Sequence, residues 1–417
     1  MGTRAGTEVG GDGALPPALD TARRAAPEIA AAVAGLRPEL DAVSAAIYAR
    51  PETAFEEHHA RDVLCEFLAD HGFGIDKGVA DLPTAFVATR GEGTPRLAFL
   101  VEYDALPGLG HGCGHNLIAA GGVVAAAAVA ALGRPAASAG TLVVIGCPGE
   151  EGGGGKVLEL ERGLFDDVDA ALMFHPADRT LPWRHARSSA HLHVRYSGRA
   201  AHAAKNPEDG RSALAGLIQL FTGLDAMRQY IGRSAQIHGV VRHGGDAPNV
   251  VPEHACADFL TREATLAANS ALIERFIACA QGAALATGTT CEVSETAPRY
   301  SERKNNHAIA GRIAAYLRGQ GVAVEPPSDA NPSGSSDIGN VSLHLPIAHP
   351  YLAICERGTP GHSREMLAAA ATPEAHDATE KMAVALAQTM VDLFEESGFL
   401  DAVQAEFARS SPEALPR

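Results

Sequence analysis

Cys147-Pro-Gly-Glu150-Glu151-Gly-Gly-Gly-Gly155-Lys156 places two adjacent carboxylates between an apolar run, Thr141-Leu-Val-Val-Ile145, and a run of glycines. A Glu pair is most often a solvated surface. Such a surface seldom follows a strand-like segment and precedes four glycines, so this pair reads as functional. Adjacent side chains on a bend point in different directions, which lets one carboxylate bind a metal while the other handles a proton.

Working outward, His111-Gly-Cys113-Gly-His115-Asn116 lies upstream, after the apolar run Leu97-Ala-Phe-Leu-Val101. Downstream, Met173-Phe-His175-Pro176 closes the run Ala170-Ala-Leu-Met-Phe174, and His362 stands in a Gly-rich loop near the C-terminus. Taken alone, Cys113 is a small buried hydrophobe and His115 an ordinary core or surface histidine. Their Cys-x-His spacing in a glycine-lined loop raises both, because glycines let the backbone fold tightly around an ion. His362 is the weakest alone, being one of 18 histidines. Together Cys, His, Glu, His and His form a set suited to one or two borderline divalent ions.

The composition narrows the partners. At 417 residues the chain exceeds one ordinary core, so two domains are expected. A formal charge of -16, with scattered Lys and Arg, argues against nucleic acid or an anionic membrane. Seven cysteines, an odd number spread from Cys65 to Cys355, do not read as a disulfide framework and fit a reducing cytoplasm. Residues 1–20 lack the apolar core of a signal peptide and are expected to be a disordered leader. The longest apolar stretch, Ile118 to Leu132, is too short to span a bilayer.

Ala26–Ala49 carries one helical periodicity and Glu57–His71 a second, ended by Gly72. Strand-like Leu97–Val101, Leu142–Ile145 and Ala170–Phe174 then alternate with helices starting near Leu117 and Lys156. This rhythm predicts an α/β fold with a mainly parallel sheet, the candidate ligands at its carboxyl edge. From Arg187 the pattern becomes strand Ser189–Tyr196, helix Gly210–Ile231, strands Gln236–Val241 and Ala255–Thr261, helix Ala268–Ala286 and strand Thr290–Glu295. That order is ferredoxin-like α+β, which predicts a domain at 187–300 inserted into a first domain made of 21–186 and 301–417. The latter part is expected to hold a Gly/Ser/Pro loop at Pro326–Gly339, a strand at Ile347–Ile354 and a long helix Pro373–Glu396.

From Pro51-Glu52 to the final helix the chain resembles the aminoacylase and glutamate-carboxypeptidase family of dinuclear metallohydrolases. Within its amidohydrolase subfamily, which includes auxin-conjugate and hippurate hydrolases, the similarity is greatest to the branch of p-aminobenzoyl-glutamate hydrolase and β-alanyl dipeptidases. The matching motifs are Glu102-Tyr-Asp104 through Ile118, Glu150-Glu151 through Lys156-Val, Met173-Phe-His175-Pro, Gly198-Arg-Ala-Ala-His202, Gly244-Gly-Asp-Ala-Pro-Asn249-Val-Val-Pro252 and Ser336-Asp337-Ile-Gly-Asn340. The resemblance implies two divalent ions, Mn2+ or Zn2+, held by Cys113, His115, Glu151, His175 and His362. It implies Glu150 as general base and an inserted domain serving as lid and homodimer interface. His202 would stabilise the oxyanion in the site of the neighbouring protomer, and Asn249 would meet substrate. The expected activity is hydrolysis of an N-acyl or N-aroyl amino acid or small dipeptide in the cytoplasm. Two rival readings are a hydrolytic deaminase releasing ammonia from an activated aromatic amine, and a metal-binding protein without catalysis.

Overall fold

The computed structural model describes residues 22–135, 140–327 and 334–410, so the expected leader lies outside the described residues. The main sheet is built from β1 (Gly74–Lys77), β2 (Phe86–Glu92), β3 (Arg96–Glu102), β4 (Gly140–Cys147), β5 (Ala170–Leu172) and β11 (Ile347–Ala348), in the order β1-β2-β4-β3-β5-β11. Strands β4, β3, β5 and β11 run parallel, whereas β2 is antiparallel to both β1 and β4. The sheet is therefore mixed, and the expectation of a mainly parallel sheet holds for its central four strands. The antiparallel edge departs from that expectation, because β2 turns back on β1 after the short connection 78–85 and runs against β4.

Period-two alternation distributes the strands between two cores. Leu97, Phe99, Val101, Leu142 and Val144 face helices α1 (Pro27–Gly35), α2 (Arg37–Ala49), α4 (His115–Ala131), α8 (His307–Gly319) and α11 (Pro373–Glu395). Ala98, Leu100, Val143 and Ile145 face the opposite layer, with Ile338 and Val341 of α9 (Ile338–Ser342). Helix α4 is apolar around its whole circumference and is buried accordingly. Gly122 lets it approach the sheet, since a Cβ there would stand 2.4 Å from Val101 Cγ1.

The helices expected at 57–71 and near Lys156 are α3 (His58–Asp70) and α5 (Gly155–Glu161). Three segments depart from the expected boundaries. Ala26–Ala49 is two helices, broken at Leu36 ahead of Pro38, whose missing N–H cannot continue the ladder. Ile347–Ile354 divides at His349-Pro350 into β11 and β12 (Tyr351–Ala353), and Ala170–Phe174 ends early at Leu172. After that end, β6 (His175–Ala177) pairs in parallel with β12 as a two-stranded ribbon outside the main sheet. A further helix, α12 (Phe399–Arg409), follows α11.

Between β6 and α8 the chain forms β7 (Ser188–Ser197), α6 (Ala213–Met227), β8 (Gln236–His243), β9 (His254–Glu263), α7 (Leu266–Thr287) and β10 (Thr290–Glu295). The strand order is β10-β7-β9-β8, antiparallel throughout. One face packs on α6 and α7 around Leu192, Tyr196, Leu217, Phe259 and Phe276, a core separate from the two above. Strand β8 is an edge, with Val240 and Val241 half exposed at 50% and 48%.

Candidate metal centre

The expected metal ligands lie in the connections between strands and helices of the first unit, apart from His115 and His175, which begin a helix and a strand. Beyond β3, a tight loop carries Cys113 to Gly114 (φ +83) and then His115, the first residue of α4. A side chain at position 114 would strain the backbone and bring its Cβ within 2.9 Å of Pro176, next to His175. Glu150 and Glu151 follow β4, His175 begins β6, and His362 (φ +55) precedes α10 (Arg364–Ala369).

These side chains converge. Ligand atoms of Cys113, His115 and His175 lie within 4.8 Å of one another, as do those of Cys113, Glu151 and His362, and those of His115, Glu150 and Glu151. Cys113 Sγ is 3.4 Å from His175 Nε2, and Glu151 Oε1 is 3.3 Å from His362 Nε2. Two overlapping clusters that share Cys113 make room for two ions.

The supporting contacts fix which atoms face inward. His115 Nδ1 donates to Asp104, 2.9 Å from its carbonyl and 3.0 Å from Oδ1, leaving Nε2 toward the cluster. His175 Nδ1 donates to the Pro176 carbonyl at 2.6 Å, which likewise presents Nε2. Asp104 Oδ2 accepts from the Glu151 N–H at 2.8 Å, tying the two loops together. His115 Nε2 and Glu151 Oε1 are then buried without a hydrogen-bond partner. Orphaned buried acceptors of this kind are costly. A divalent cation satisfies both, and the Cys, His and carboxylate donors are the ones such ions take, so the residues fit the metals.

Behind this cluster lies a second charged layer. Lys156 Nζ is fully buried, pairs with Glu102 and contacts Asp337 Oδ1 at 3.0 Å. Burial, then repulsion from Glu102, Asp337 and Glu151, lifts Glu150 well above the ordinary carboxylate range. Burial also raises the Cys113 thiol, so its thiolate needs nearby positive charge. Burial, then the charge of His115, pushes His175 down to about 3, which keeps it neutral and able to coordinate.

The cavity over the cluster, about 260 Å³, is lined by Cys113, Glu150, Glu151, His175 and His362, together with Arg184, Arg262, Arg303, His349 and Tyr351. Arg262 comes from β9, so both sheets contribute. His202 and Asn249 lie elsewhere. They are exposed and adjacent, joined by the Ala203 N–H bond to the Asn249 carbonyl at 3.1 Å, and neither lines the cavity. Sequence reasoning missed roles for Glu102, Asp104, Lys156 and Asp337, although each falls inside a matching motif. Arg184, Arg262, Arg303 and His349 carry no local signal and are recognisable only once folded.

The fold and this constellation define a metal-dependent hydrolase of amide bonds. The chain belongs to Peptidase family M20/M25/M40, whose profile it matches over residues 98–395. It is 35% identical over 390 residues to the human (Homo sapiens) Xaa-Arg dipeptidase, covering 88% of each chain. It is 32% identical over 433 residues to one of the two kinds of polypeptide in the p-aminobenzoyl-glutamate hydrolase of Escherichia coli, covering 86% of this chain and 90% of that one. Among solved structures it resembles a dinuclear metal-binding peptidase of the M20 family from Bacillus subtilis, with a TM-score of 0.62 and 19% identity, covering 86% and 99% of the two chains.

Proposed function

We propose that this chain hydrolyses the amide bond of an N-acyl or N-aroyl amino acid or of a small dipeptide, with two divalent ions, Mn2+ or Zn2+, held by Cys113, His115, Glu151, His175 and His362. The observation that carries this reading is the convergence of orphaned His115 Nε2 and Glu151 Oε1 with Cys113, His175 and His362 beneath a small cavity. Relatives named for Xaa-Arg dipeptides and p-aminobenzoyl-glutamate support small amides as the substrate class.

Bound there, the ions supply Lewis acidity toward the scissile carbonyl and lower the pKa of a water. Glu150, 8% exposed and facing the cavity, takes a proton from the attacking water and delivers it to the leaving nitrogen. Its raised proton affinity suits the second half of that task. The products are a carboxylic acid and an amine, with no other reactant consumed. Arg262, facing the same cavity, is a natural partner for the carboxylate of an amino acid.

On this reading residues 21–186 and 301–417 form the metallohydrolase domain and 187–300 an inserted lid and dimerisation domain. The exposed β8 edge supports a homodimer in which sheets pair edge to edge. In that dimer His202 reaches the partner's site as oxyanion donor, with Asn249 beside it on substrate. A charge of -16 favours neither nucleic acid nor membrane as partner, and among the described residues no helix is long and apolar enough to cross a bilayer. Free cysteines throughout are in keeping with a cytoplasmic location.

The test is to incubate manganese- or zinc-loaded protein with N-acyl amino acids, N-aroyl amino acids and dipeptides and identify products by mass. Acid and amine products that vanish with Glu150→Gln are expected. Ammonia release from aromatic amines without amide cleavage would replace this reading with deamination.

A further inference from the structure

One wall of the cavity carries charge that the hydrolysis does not use. Arg184 and Arg303 both approach the ring of Tyr351, their guanidinium carbons 4.3 and 5.8 Å from its centroid. Arg303 is 2% exposed and donates to the Tyr351 hydroxyl at 3.0 Å, while its Nε has no acceptor. Among the described residues Arg184 Nε also lacks a hydrogen-bond acceptor, and Arg184 Nη2 has only the ion-pair contact with Asp178 Oδ1 at 3.5 Å. The acid facing Arg184, Asp178, stands 3.5 Å away, faces Arg179 at 3.9 Å, and accepts from the Gly358 N–H at 2.9 Å. His349 is 3% exposed, with neither ring nitrogen partnered, and its ring centroid lies 5.3 Å from that of Tyr351 and 5.7 Å from that of His175.

Buried guanidinium donors without acceptors are unfavourable unless an anion completes them. Among the described residues that line the cavity, and the metal-site carboxylates aside, Arg184, Arg262 and Arg303 stand with Asp178 as their one acid. An N-acyl amino acid brings one carboxylate, which Arg262 can meet, and Asp178 faces Arg184, so the wall of Arg184 and Arg303 is left one negative charge short.

We propose that Arg184, Arg303 and His349 form a subsite for a second carboxylate of the substrate, so that the preferred amides carry two negative charges. This rests on the amide-hydrolase reading of the metal centre. The second carboxylate comes from an acidic amino-acid side chain or from a dicarboxylic acyl group.

The experiment compares kcat/KM of metal-loaded enzyme within two size-matched pairs, N-benzoyl-glutamate with N-benzoyl-glutamine and N-succinyl-leucine with N-succinamoyl-leucine. The acidic member of one pair is expected to be favoured by at least about 30-fold, and which pair shows it names the side of the scissile bond that enters. Arg184→Gln should collapse that preference through KM, and Arg184→Lys should restore part of it. Equal rates within both pairs, or an unchanged preference in Arg184→Gln, overturns the subsite. If no amide is cleaved, the hydrolase reading fails and calorimetric titration decides the subsite separately. Glutarate binding tighter than butyrate, lost in Arg184→Gln, upholds it, and indistinguishable binding overturns it.

Discussion

Replacing Lys156 with Met removes the one buried ammonium that offsets Glu102 and Asp337 behind the metal centre. Burial alone would lower the lysine's pKa, but Asp337 and Glu102 raise it well above its ordinary value. A raised folded pKa means that its stabilisation is fully present below the unfolded value, so across pH 5–9 the ammonium stays charged. Lys156→Met strands two carboxylates that are themselves 1% exposed or less. Breaking a buried pair in this way costs about 3–5 kcal/mol, a large fraction of the roughly 5–15 kcal/mol by which domains are stable. The assay is urea unfolding of chelated wild type and variant at pH 5.0 and 8.0. The deficit should be smaller at pH 5.0, where stranded carboxylates protonate more readily, and Lys156→Met with Glu102→Gln and Asp337→Asn should recover most of it. A deficit under about 1 kcal/mol, or one identical at both pH values, would refute this account of the charge layer.

Glu150→Gln is expected to keep its metal yet lose about 10²–10⁴-fold in turnover, whereas Glu151→Gln loses metal too, as elemental analysis beside kinetics can check. Cys113 should react with iodoacetamide slowly in metal-loaded protein and much faster after chelation, and equal rates would argue against a metal thiolate. Co-expressing Glu150→Ala and His202→Ala chains should restore about a quarter of wild-type activity if His202 acts across a dimer, because half of randomly formed dimers are mixed and each rebuilds one site. Mixed dimers without activity would confine His202 to its own chain. Burial, with repulsion from Asp104, raises Glu57 from 4.5 to about 7, so the folded state holds its proton longer and stability falls as pH rises through that window. Glu57→Gln should therefore gain on wild type by about 3 kcal/mol between pH 4.5 and 8, read from unfolding midpoints, and no relative gain would mean that the carboxylate ionises freely.

His362, in a Gly-rich loop, was singled out chiefly by the family resemblance. Cys113, His115, Glu151 and His175, which the structure brings together, stood out because each lies in a short motif near a strand end, with glycines or an apolar run beside it. Glu150 and Glu151 stood out by this local contrast, and the β-α-β-β-α-β order of the second unit followed from strand and helix periods alone. The β6–β12 ribbon was harder, since its three-residue pairing joins segments far apart in the chain, and β1 is only four residues long and mostly exposed, with no apolar alternation to announce it. Arg184, Arg262 and Arg303 come from three separate segments and acquire meaning only through burial and one shared cavity. His202 and Asn249 are adjacent through the fold, and neither lines the cavity of its own chain.

In the β6–β12 ribbon, His175 is the direct ladder partner of Tyr351. On the assignments proposed above, one residue supplies an imidazole to the metal set, and the other carries the guanidinium-lined wall. Any repacking that retunes the wall for a different charge pulls on the same rungs that aim the imidazole. Changes of substrate preference in this protein are thus mechanically tied to metal retention. An engineer or a lineage exploring new amides at positions 184, 303 or 349 should find that many otherwise well-folded variants first become poor at keeping their ions.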